Sequence, residues 1–107
     1  MRLLVFLLAA GLAVNAHARG DAKSGEAKAA QVCAACHGPD GNKPSAPDQP
    51  VLAGQYYDYL VRALTDYKSG ARSNGIMKGF AGQLSKQDIE DLAAWFSTQK
   101  SSLHDQR

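Results

Sequence analysis

Cys33-Ala34-Ala35-Cys36-His37 is the stretch on which the reading of this chain turns. Two thiols three positions apart, with an imidazole directly after them, form C-x-x-C-H, the attachment signature of c-type haem. The spacing has a physical reason. Two cysteines near the end of a helix can each form a thioether with one of the two haem vinyl groups. His37 is then carried beneath the iron, where an imidazole nitrogen can bind it. Covalent attachment keeps the cofactor in a chain too short to bury it fully.

Three other readings compete for the same residues. A thioredoxin-like redox pair needs a strand just before it, inside a βαβ unit. Here a polar, Ala-rich helical stretch precedes it. A zinc site needs a second ligand pair, and besides His37 only His17 and His104 remain. A structural disulfide between Cys33 and Cys36 leaves the adjacent histidine without a role. Haem accounts for all three residues.

A haem iron has a second axial position. After Met1 the chain has one methionine, Met77, in a Gly-punctuated stretch well downstream of His37. A lone methionine ordinarily fills a gap in a core. Beside a haem motif it becomes the candidate distal ligand, and His/Met ligation is an electron-transfer arrangement in which methionine raises the potential. His104 could serve only if the polar tail folded back.

Upstream, Met1-Arg2 is a short positive start and Leu3–Val14 an apolar run broken by Gly11. The run is too short to span a bilayer comfortably. Ala16-His17-Ala18 has the small-x-small form read by signal peptidase. We expect a signal peptide over 1–18, cleaved after Ala18, and one domain over 19–107. A retained N-terminal anchor is the alternative. After removal of the signal, no transmembrane segment is expected. Export also suits a cysteine pair destined for covalent chemistry.

Composition bounds the remainder. A chain of 107 residues holds one small domain, which excludes multidomain enzymes and large barrels. Twelve basic against ten acidic residues leave a net charge of +2, with no basic stripe for nucleic acid. Apolar residues at 45% support a folded core, and aromatics at 7% make it a light one. Such a chain is marginal without a cofactor or staple.

Periodicity places three main helices. The first covers about Ser24 to Cys33, with Asp21 or Ser24 as cap. Gly38 to Pro50 holds all four prolines and reads as a loop. The second helix covers Gln55 to Lys68, with Tyr56, Tyr59, Leu60, Ala63, Leu64 and Tyr67 at helical steps and Gly70 beyond its end. Ala71 to Leu84 reads as irregular, with room for one short helical turn after Met77. Ser85 opens the third helix through a capping box with Asp88, and Ile89, Leu92, Ala93 and Phe96 form its inner stripe. No strand is expected. The fold class is all-α.

The chain resembles the class I c-type cytochromes, in their small single-haem bacterial form. The similarity covers about Gly20 to Thr98 and has several anchors. They are Gly20-Asp21 with Gly25, Cys33–Gly38 with Gly41, Pro50–Gln55, Asn74–Met77, and Leu84-Ser85 with Asp88, Leu92, Trp95 and Phe96. The resemblance implies the cytochrome c fold, with three main helices and long loops wrapped around one covalently bound haem c. It makes Cys33 and Cys36 the thioether positions, His37 the proximal ligand and Met77 the distal one. It gives Pro50 a backbone carbonyl for the far ring nitrogen of His37, and Gly25 a close crossing with the last helix near Trp95. One departure stands out: relatives often carry an aromatic where this chain has Ala29.

The expected function follows. The protein is a periplasmic electron carrier and not an enzyme. It exchanges single electrons with redox proteins such as membrane respiratory complexes or periplasmic oxidoreductases. Two haem propionates would bring the mature charge to about −1, so docking would rest on an apolar patch near Ala34, Ala35 and Met77. Arg62, Lys68, Arg72, Lys78 and Lys86 read as scattered, solvated cations, and the tyrosines as core or half-buried residues. Two rivals remain. One is a haem-based sensor or ligand-binding cytochrome with a labile sixth iron site, differing only in the role of Met77. The other is a thiol oxidoreductase using Cys33 and Cys36.

Overall fold

Three polar side chains decide where helices begin. The Asp21 carboxylate accepts from the Lys23 backbone N–H at 3.1 Å and from the Ser24 hydroxyl at 2.8 Å, which starts α1 (Ala22–Val32). Of the two caps expected, Asp21 is the cap and Ser24 its partner. The Ser24 hydroxyl, then the Lys23 N–H, hold the Asp21 carboxyl below its ordinary range. Ser85 and Asp88 form the expected capping box ahead of α5 (Lys86–Ser97), each side chain bonding the other's backbone N–H at 2.9 Å. Asn74 does the same work for a helix that composition did not suggest.

That helix is α4 (Gly75–Ala81), and it corrects the expectation of an irregular stretch between Ala71 and Leu84. The Asn74 carboxamide oxygen accepts from the N–H groups of Ile76 and Met77, at 3.1 and 3.0 Å. Two satisfied donors outweigh the weak helix propensity of Gly75 and Gly79. Met77 therefore rides on a helix. The other elements are α2 (Ala34–His37), which is the haem motif itself, and α3 (Tyr57–Ser69). Gly70, at φ 87°, closes α3 in the left-handed conformation, where its N–H reaches the Asp66 carbonyl.

This computed structural model describes residue 5 and residues 20–103. The expected signal peptide and His104 lie outside the described residues. Among the described residues there is no strand, as expected, and no helix is long and apolar enough to cross a membrane. The fold is the all-α arrangement of three main helices, with α2 and α4 as short additions.

The core forms where α1 crosses α5 and α3 leans on α5. Ala29, Leu60, Ala81, Leu84, Ile89, Leu92, Ala93 and Phe96 are buried together. The expected inner stripe of α5 is all inside. The crossing depends on Gly25. A Cβ there would lie 1.9 Å from the Asp91 carbonyl oxygen and 2.9 Å from Trp95 Cβ. Ala29, one turn on, is fully buried, so a small side chain is what this contact admits. Half-buried Trp95 packs on the same core and ties its indole N–H to the Pro39 carbonyl at 3.1 Å.

Two predictions follow from this packing. Gly25→Ala forces α1 off α5 and costs about 3 kcal/mol, whereas Gly79→Ala, whose Cβ meets nothing within 4 Å, gains about 0.5–1 kcal/mol. Urea midpoints of the two variants should move in opposite directions.

The second concerns acid. Backbone and hydroxyl bonds from Ser85, then Lys28 and Lys68, hold the Asp88 carboxyl below its ordinary value of 3.8. Its contribution is therefore present above that value and lost as pH falls through the lowered one. Asp88→Ala should cost about 1 kcal/mol at pH 7, and the gap to wild type should close below pH 3.8.

Candidate metal centre

His37, the one imidazole among the described residues, ends α2 at 6% exposure. Its Nδ1 lies 3.0 Å from the Pro50 carbonyl oxygen. A carbonyl can only accept, so Nδ1 carries a proton, and in the neutral ring that leaves the lone pair on Nε2. This is the contact that the family resemblance implied for Pro50. The loop behind it is braced to hold that carbonyl still. Gln49 Oε1 accepts from the Ser45 N–H, the Ser45 hydroxyl and the Ala46 N–H. Asn42 ties the loop to the chain after α5, donating to the Lys100 carbonyl at 2.9 Å and accepting from the Ser102 N–H at 2.6 Å.

Cys33, Cys36, His37 and Met77 all line one cavity of about 390 Å³. All four residues singled out in the sequence are brought together. Its walls are apolar, with Leu60, Leu64, Leu84, Leu92 and Phe96 among them. Cys33 sits at the break between α1 and α2, with Cys36 one turn on, and both thiols are free and half-buried. Met77 lines the same cavity from α4, and His37 lines it from the end of α2.

The competing chemistries fit less well. Burial, and to a lesser degree Cys36, push the Cys33 thiol up to about 11. A thiol oxidoreductase needs a depressed value. Among the described residues no three His, Cys, Asp or Glu side chains converge to hold a metal ion, so the zinc reading finds no cage. An iron porphyrin fits the donors that remain. There is one imidazole whose Nδ1 is taken up by the Pro50 carbonyl, one thioether, two thiols at C-x-x-C spacing, and a wall with few competing polar groups.

Several residues escaped the sequence reading. Asn74 carried a signal, an Asn followed by helix-compatible residues, but the nearby glycines masked it. The Lys68 ammonium bonds the Leu84 carbonyl, joining α3 to the turn before α5. Ile76 and Phe80, at 71% and 42% exposure, flank Met77 on α4 and line the same cavity. Tyr59 is 49% exposed and Tyr67 half-buried, yet both line the cavity.

Comparison with known proteins agrees with this geometry. A family model described as Cytochrome C oxidase, cbb3-type, subunit III, matches residues 20–96. Cytochrome c4 of Pseudomonas aeruginosa is 52% identical over 101 residues, which cover 94% of this chain and 49% of that protein. A protein of Stutzerimonas stutzeri named thiosulfate dehydrogenase electron acceptor is 42% identical over 72 residues, 67% of this chain and 33% of that one. The crystal structure of reduced recombinant cytochrome c4 from Pseudomonas stutzeri superposes with a TM-score of 0.72 at 47% identity, over 78% of this chain and 48% of that one. The chain thus spans about half the length of the cytochrome c4 relatives it matches.

The loop clamp yields a prediction. Asn42→Ala removes its bonds to Asp40, Lys100 and Ser102. Thermal or urea unfolding should show a loss of about 1–2 kcal/mol.

Proposed function

Since the chain belongs to the c-type cytochrome family, whose cofactor is covalently bound haem c, we propose that it is a periplasmic carrier of single electrons. The observation that carries this reading is the single apolar cavity onto which Cys33, Cys36, His37 and Met77 converge. Cys33 and Cys36 are the thioether anchors. His37 binds iron through Nε2, its ring held by the Pro50 carbonyl. Met77 would hold the iron through its thioether, a soft sulfur that would favour the ferrous state. Bound there, haem supplies a one-electron couple between ferric and ferrous iron.

The rest of the chain's work is positioning and exclusion. Leu60, Leu64, Leu92 and Phe96 keep water from the ligands, which also raises the cost of the extra positive charge. His37 and Met77, held by the fold, would leave little to reorganise around a bound haem. Ile76 and Phe80 beside the cavity form an apolar landing surface for a redox partner. The partners proposed are membrane respiratory complexes or periplasmic oxidoreductases, and the relative named as an electron acceptor supports that class. The proposed organisation is a signal peptide over 1–18, cleaved after Ala18, and a haem domain over 19–107. No enzymatic step is assigned.

The test reads both ligands. A denaturing gel of wild type should retain stainable haem, and the reduced protein should not bind carbon monoxide readily at neutral pH. Met77→Ala should keep the stain, bind carbon monoxide quickly and show a lowered potential. Rapid binding by wild type would instead make the protein a ligand-binding cytochrome with a labile sixth site.

A further inference from the structure

The residues lining the cavity include two charged ones, Asp48 in the loop before Pro50 and Arg72 just beyond α3. Haem brings two carboxylates of its own. In so small a chain each must reach water or meet a cation. Among the described residues, Arg72 is the only lysine or arginine in the cavity's lining. It is exposed overall, which places it at the mouth.

Arg72 is held as a surface cation rarely is. Its backbone N–H donates to the Asp66 carbonyl at 3.1 Å, in the turn that Gly70 makes possible. Its guanidinium lies 4.8 Å from the centroid of the Tyr67 ring. Its Nη1 donates to the Tyr59 hydroxyl at 3.2 Å. Both tyrosines line the same cavity. Among the described residues no carboxylate forms a salt bridge with it, while Lys28 and Arg62 each have one. A guanidinium has five N–H donors in a fixed fork that suits a carboxylate, and the Tyr59 bond uses one.

We propose that Arg72, oriented by Tyr59 and Tyr67 at the cavity mouth, is the counter-charge of a haem propionate. This corrects its reading as one of several solvated cations, and it rests on the haem reading of the cavity. Arg72 is a positioning residue. By pairing with the carboxylate it weakens the negative field at the iron and so favours the ferrous state. Asp48, the other charged lining residue, is an anion and cannot take this role.

The test compares haem-loaded wild type with Arg72→Gln, Arg72→Lys and Tyr59→Phe. Reduction potential is measured against pH, with the visible spectrum recorded for each. Arg72→Gln should keep the wild-type spectrum, lower the potential, and move the inflection of the potential–pH curve up by about one unit, the low end of what an adjacent opposite charge supplies. Arg72→Lys should recover part of that shift. Tyr59→Phe should move the curve the same way by less. If Arg72→Gln gives a curve superimposable on wild type with its spectrum intact, Arg72 merely stacks on Tyr67; the proposal is then overturned and the axial ligands stand. A wild type without stainable haem would overturn both.

Discussion

At Gly25 the backbone of α1 approaches α5 so closely that one added methyl group would sit 1.9 Å from the Asp91 carbonyl oxygen. Everything downstream depends on that approach. It buries Ala29 completely and seats the end of α1 on the stripe of Leu92 and Phe96. The chain then breaks at Cys33 into α2, so the thiols and His37 open onto the cavity floor rather than onto solvent. A larger residue at the crossing would separate the helices and enlarge a cavity that the chain can scarcely wall as it is. Ala29 stands where relatives often carry an aromatic, and its site is fully enclosed.

The two sides of the cavity are held by different means. His37 ends α2 but its ring is oriented by a loop, and loops are loose unless their polar groups are satisfied internally. Here Gln49 and Asn42 supply those bonds, and the Pro50 carbonyl fixes the ring. Met77 is positioned by a short helix whose first turn is completed by Asn74. A seven-residue helix has little stability of its own. It persists because its cap is good and because Ala81 packs into the core.

Charge is sparse around the cavity. The Cys33 thiol, raised to about 11, suits an apolar wall better than a nucleophile's site. Arg72 is the exception on the positive side, and it is anchored to two aromatic rings instead of a carboxylate. An apolar lining with one cation at its mouth matches a flat, largely apolar cofactor with acidic groups along one edge.

Local signals settled much of this protein before any packing was considered. The C-x-x-C-H spacing, the capping box at Ser85, the stop at Gly70 and the inner stripe of α5 each involve residues within a few positions of one another. Such features are written directly in the chain. Signs that pull in opposite directions were not legible. Glycines at 75 and 79 speak against a helix and Asn74 speaks for one, and the contest is decided by two hydrogen bonds that exist only once the turn has formed. Long-range juxtapositions were equally hidden to residue patterns alone. That Arg72 lies over Tyr67 and that Asn42 reaches Lys100 depend on how the helices cross. Periodicity records which face of a helix turns inward but not what that face will meet, because the meeting is decided by distances between backbones that no short stretch of sequence contains.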